Sequence, residues 1–204
     1  MSDTDVQDKV YPSVKENLRR TFPDTSEIKI LHYNLRRRQV EEGDYQSPQP
    51  ATFAHIGRFP YCIQFLPTRT LNSNSNRFHD GIREDHGRRG IWREAFSASS
   101  DSEFLGNDWP LALCDSRTVD RNSDTVATDI IYTDGISENQ RVYHNSQHKW
   151  YFVKDLTDNE MIMFLQTDSM SERGVIHASF ENPETAIGAA PRASIEVRAF
   201  VFFE

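Results

Sequence analysis

Several side chains in this sequence are of types that do chemistry, and their spacing limits what that chemistry is. His144 and His148 stand four residues apart, which lets two imidazoles reach one metal from a helix. The surrounding RVYHNSQHKWYF reads instead as strand, turn, strand. His79, Asp80, Asp85 and His86 make a mixed cluster that suits a metal, although a solvated polar loop is the simpler reading. Arg36, Arg37 and Arg38 could hold an acidic substrate, or they could end a strand in salt bridges. His32, beside Tyr33, is available for acid–base work near neutral pH, with a hydrogen-bonded core histidine as the ordinary alternative. His32 and Arg38 are the catalytic candidates of this group. Asp115 and Arg117 suit a structural ion pair. Trp92, Trp109, Tyr143, Trp150, Tyr151 and Phe152 could wall an apolar pocket, although most aromatics so placed are core.

These residues need elements to position them. Val14, Leu18 and Phe22 recur every four residues behind Pro12, which predicts a helix over Pro12–Phe22. Residues 1–10 read as a flexible tail. Glu27–Leu35 alternates as a strand, with Ile28, Ile30 and His32 on one face. Thr52–Phe65 predicts one or two strands around Pro60. Leu71–Arg89, with its Asn-Ser run and dense charge, reads as a mobile loop bordering a pocket. Further strands are expected at Trp109–Cys114, Thr125–Tyr132, Arg141–His144 and Lys149–Val153. Thr157 to Glu160 has capping-box spacing, and Met161–Leu165 is a short buried run. The last strand is the clearest. Ile195, Val197, Ala199, Val201 and Phe203 share one face, and Ser194, Glu196 and Arg198 share the other. Many short strands and one early helix predict a mainly β jelly roll, as a single domain over residues 11–204.

Composition narrows the class. The chain has 204 residues, 37% hydrophobic and 26% charged, enough for one substantial core. A net charge of −8 is repelled by nucleic acid and anionic membranes. The acidic start lacks a secretory signal, and no apolar run spans a bilayer. Cys62 and Cys114 are the only cysteines, too few for a disulfide framework, so a reduced, cytoplasmic location is expected.

The second half resembles a known family. WPLALCDSRTV, VATDIIY, HNSQHKWYFVKDLTDNEMIMFLQTDS and HASFENPETAIGAAPRASIEVRAFVFF are similar to consecutive blocks of an oxygenase-like family. It includes cephalosporin hydroxylase-associated proteins, the fungal gibberellin desaturase and the aspergillic-acid-pathway hydroxylase/desaturase. LHYNLRRR and QPATFAHIG echo it more weakly. The resemblance implies a double-stranded β-helix, fungal secondary metabolism, and Fe(II) with 2-oxoglutarate as cofactors. In that family two histidines and one carboxylate hold the iron on one face. The carry-over assigns His55 and His177 as metal ligands and catalytic residues. It assigns Arg192, Ser194 and Arg198 to the 2-oxoglutarate clamp, with Arg192 first. The carboxylate position is Gly57, which has no side chain to bind anything. A neighbouring acid such as Asp80 or Asp85, a water or a halide could complete the iron shell, or iron could be absent. The resemblance also places the start of this chain near the family's middle portion.

Two functions follow from different classes. One is oxidative tailoring of a small natural-product intermediate by hydroxylation, desaturation or ring formation. The alternative is a metal-independent isomerase or cyclase, in which a rigid pocket holds a reactive conformer. A non-catalytic family remnant is a third. The expected partner is a small-molecule intermediate, with no nucleic acid and no membrane, and a homodimer is open.

Overall fold

The alternation at the end of the chain sets the architecture. In the computed structural model, Ala193–Phe203 is a strand (β11) whose Ile195, Val197, Ala199 and Val201 are buried in the main core. The structure describes residues 3–39, 48–57, 63–66, 89–95, 107–131, 136–157, 160–168 and 174–203. The clusters at His79–His86 and Leu71–Arg89, together with Pro60 and Cys62, lie outside the described residues, apart from the backbone of Arg89.

Eleven strands are described, in two sheets. In chain order they are β1 (Thr25–Arg37), β2 (His55–Gly57), β3 (Ile63–Leu66), β4 (Arg89–Ala95), β5 (Leu111–Cys114), β6 (Thr125–Ile131), β7 (Ile136–Val142), β8 (Trp150–Phe152), β9 (Met161–Asp168), β10 (His177–Ser179) and β11. One sheet runs β1-β11-β4-β3-β9 and the other β6-β7-β2-β10-β5-β8. All pairings are antiparallel except β3 with β4. This is the expected mainly β, double-stranded β-helix fold.

The expectation of a flexible tail over residues 1–10 is overturned for the residues described. Asp3–Asp5 is helical, Val6–Val10 is π-helical, and Tyr11–Thr21 continues as α-helix. Val6, Val14 and Leu18 are essentially fully buried against β11. Pro12 has no N–H to give to an α-helical turn and its ring crowds the carbonyl four residues back. The π turn accommodates this, with the Tyr11 N–H reaching the Val6 carbonyl. Among the described residues no helix is long and apolar enough to cross a membrane.

The expected face of β1 also changes. A bulge between Ile30 and His32 inserts Leu31 and reverses the alternation. Ile28 and Ile30 face the core before it, and Tyr33 and Leu35 after it. His32 therefore leaves the isoleucine face and pairs across the ladder with Arg198, Asn34 with Glu196, and Arg36 with Ser194. The polar face of β1 now meets the polar face of β11, between the sheets.

Candidate functional site

β2 and β10 are neighbours, and His55 pairs directly with His177. Their rings lie 4.4 Å apart, centre to centre. Each Nδ1 is held by a backbone carbonyl two residues upstream: Phe53 O at 2.9 Å from His55 and Val175 O at 3.0 Å from His177. A carbonyl only accepts, so both Nδ1 atoms carry the proton. Burial pushes the pKa of both rings down, well below the usual value at His177, where nearby His55 adds to the effect. Both imidazoles are therefore neutral at physiological pH. Each presents Nε2 as a lone pair with no hydrogen-bonding partner among the described residues. A neutral ring pinned through Nδ1 is the form in which histidine ligates a metal.

The two rings line one cavity with Arg36, Ala51, Leu111, Gln166, Ser179, Glu196 and Arg198. Its volume is about 40 Å³. On this measure a water needs about 10–15 Å³, so the space holds an ion with one or two small ligands. It is far below the roughly 300 Å³ at which small-molecule pockets begin.

Glu196 is buried at 3% exposure. Arg36 donates to its Oε2 through Nε at 3.1 Å and Nη2 at 3.0 Å, and Arg198 Nε donates to Oε1 at 2.8 Å. Burial pushes this carboxyl up, but the Arg198 and Arg36 charges prevail and hold it below its ordinary value. Glu196 is thus an ionised carboxylate already committed to two guanidinium groups. Among the described residues, the cavity wall carries two guanidinium groups and one carboxylate.

Gly57 lies beside this cavity. A Cβ on Gly57 would stand 1.4 Å from Nε2 of Gln166 and 2.6 Å from its Cδ, so the Gln166 carboxamide takes the space that a side chain at position 57 would need. Gln166 is 6% exposed and its Oε1 has no hydrogen-bond partner. Such a buried orphan costs about 1–3 kcal/mol. Asn139, paired with Gly57 on β7, has an orphaned buried Oδ1 as well. Sequence reasoning missed Gln166. The signal was available: Ile162, Phe164 and Gln166 alternate inward on β9 and all are buried, and one of the three is polar.

Of the remaining candidates, only Arg198 is in the cavity wall. Arg192, expected first for the 2-oxoglutarate clamp, is 5% exposed and bonds the Trp109 carbonyl and Ser179 Oγ at 2.7 Å and Ser194 Oγ at 3.3 Å. Among the described residues, its link to the cavity wall is through Ser179. Arg198, ranked second, lines the cavity. Arg38 is paired with Asp108 at 2.6 Å, and the same carboxylate oxygen accepts the Arg192 N–H, so Arg38 braces the entry to β11. His32 stands beside Arg198 in the ladder but not among the lining residues. His148 bonds Asp124 at 2.9 Å, and Arg117 clamps Asp115. Cys114 is buried, and burial pushes its thiol up, leaving it inert. Tyr143, Trp150, Tyr151 and Phe152 are exposed and do not line this cavity.

Among the described residues no three His, Cys, Asp or Glu side chains cluster as a metal site. The two imidazoles fit iron(II), and Gly57 offers no ligand. Beside Gly57 stands the Gln166 carboxamide, its nitrogen nearest the glycine and its oxygen buried without a hydrogen-bonding partner among the described residues.

A family model described as "Oxidoreductase/YMDC permease-like domain" matches residues 105–202. The hydroxylase/desaturase CTB9 of Cercospora beticola is 31% identical over 126 residues, 56% of this chain and 36% of that protein. Over about half of its length, the chain is similar in sequence to fungal hydroxylase/desaturases. A second, efuI of Hormonema carpetanum, is 33% identical over 109 residues, covering 47% of this chain and 36% of its own length. This chain thus matches little more than a third of either hydroxylase/desaturase. The iron and alpha-ketoglutarate-dependent endoperoxidase NvfI has the same fold, with a TM-score of 0.72 at 22% identity over 98% of this chain and 71% of that one.

Proposed function

We propose that this chain is an oxidoreductase that uses iron(II) and 2-oxoglutarate to hydroxylate, desaturate or oxidatively cyclise a small secondary-metabolite intermediate. The observation that carries this reading is the pair of neutral imidazoles, pinned through Nδ1 on adjacent strands and opening on a cavity of about 40 Å³. The names of the hydroxylase/desaturase relatives and of the endoperoxidase support the same chemistry.

In this reading His55 and His177 hold the metal through Nε2. When bound, iron(II) with 2-oxoglutarate and dioxygen supplies the oxidising equivalents. Arg198 and Arg36, fixed in orientation by Glu196, place two guanidinium groups in the wall and hold an anionic co-substrate against it. Arg192 and Ser194 are positioning residues: Arg192 holds the hydroxyl of Ser179, a residue of the cavity wall.

A second reading, a metal-independent isomerase or cyclase, is favoured by Gly57, which offers no ligand. The paired imidazoles of His55 and His177, both lining one cavity, favour the oxidative reading over it. Turnover of 2-oxoglutarate to succinate separates the two. Iron-dependent succinate release, lost in His177→Ala, is expected. A protein that transforms its substrate in chelator and without dioxygen would overturn the oxidative reading.

A further inference from the structure

Three observations meet at one side chain. Gly57 leaves the acid position without a side chain. Gln166 fills that position, its carboxamide nitrogen lying where a Cβ on Gly57 would collide. The carboxamide oxygen is buried with no hydrogen-bonding partner among the described residues, and Gln166 lines one cavity with His55 and His177. Gln166 is also held in place from behind. A Cβ on Gly174 would lie 1.9 Å from the Gln166 carbonyl oxygen, so the absence of a side chain at 174 lets the two segments touch. The Val175 N–H bonds the Leu165 carbonyl at 2.7 Å, and the Arg121 guanidinium bonds the Gly174 carbonyl at 2.7 Å.

We infer that Gln166 is the third protein ligand, so that His55, His177 and Gln166 form a neutral metal-binding set in place of two histidines and an acid. This rests on the iron reading above. An amide oxygen suits a hard divalent ion, and ligation satisfies the orphaned atom. A half turn about Cγ–Cδ exchanges oxygen and nitrogen, so either side of the carboxamide can face the metal. The set carries no negative charge. Binding is therefore weaker than with a carboxylate and leans more on an anionic co-ligand.

The test is anaerobic calorimetry of the full chain with Fe(II), and with Co(II), whose visible spectrum reports coordination. Gln166→Met keeps the volume and removes the oxygen, and should weaken binding by about tenfold or more. Gln166→Glu adds charge at the same reach and should tighten it. Gly57→Asp alone should give no gain, because Gln166 occupies the space, while Gly57→Asp with Gln166→Ala should bind more tightly than wild type. Wild-type affinity and Co(II) spectrum unchanged in Gln166→Met would overturn the inference and leave the histidine reading standing. No binding by wild type, Gln166→Glu or the double variant would overturn both.

Discussion

Glu196 sits between two guanidinium groups at 3.0 Å and 2.8 Å. Glu196→Gln keeps the shape and removes the charge that Arg36 and Arg198 share. The expected loss is about 3 kcal/mol in urea unfolding at neutral pH, at the low end because both arginines keep partial contact with solvent. An unchanged unfolding midpoint would show that the triad is not a structural tie. Asp124 gives a second test at this scale. The His148 hydrogen bond, with Asn145 beside it, lowers its pKa from 3.8 to about 2. The folded state thus gains stability from this carboxylate above pH 3.8 and loses it as the pH falls toward 2. Asp124→Asn should flatten this acid limb, and urea midpoints between pH 5 and 2 measure it. Parallel profiles for the two proteins would remove Asp124 from the acid response.

The elements show which of these contacts could be read from sequence. The period-two pattern of β11 was legible because both of its faces are decided by burial, apolar toward the helix and polar toward the cavity. The bulge at Leu31 was not, because alternation assumes an unbroken ladder, so His32 was assigned to the wrong face. The π-helical entry was hidden for a related reason. Val6 and Val10 extend the four-residue series of Val14 and Leu18, but Pro12 reads as a helix start unless a π turn is allowed. The histidine pair was reached through family resemblance, since a histidine in an apolar strand carries no mark of its partner. Gln166 was legible in principle, as the polar member of an inward-facing row. The N-terminal helix is expected to be integral to the fold. Leu18→Ala should cost about 2–5 kcal/mol, and Val6→Asp, at a site with no exposure, should cost at least as much. If thermal melts of Val6→Asp match wild type, the segment before Pro12 contributes nothing to the core.

At the scale of the molecule, each sheet brings a different chemistry to the cavity. The sheet holding β2 and β10 supplies two neutral imidazoles. The other supplies the Arg36–Glu196–Arg198 charges and the Gln166 amide. Neither makes the site alone, so binding at the cavity should tie the sheets together, and a ligand that binds only the folded state should raise the melting temperature. The most direct test is anaerobic titration of wild type, His55→Ala and His177→Ala with Fe(II), followed by calorimetry. Saturable binding of one ion by the wild type, weakened about 100-fold or more in each histidine variant, is the expected result. An affinity that does not change when either imidazole is removed would contradict a metal centre built on His55 and His177.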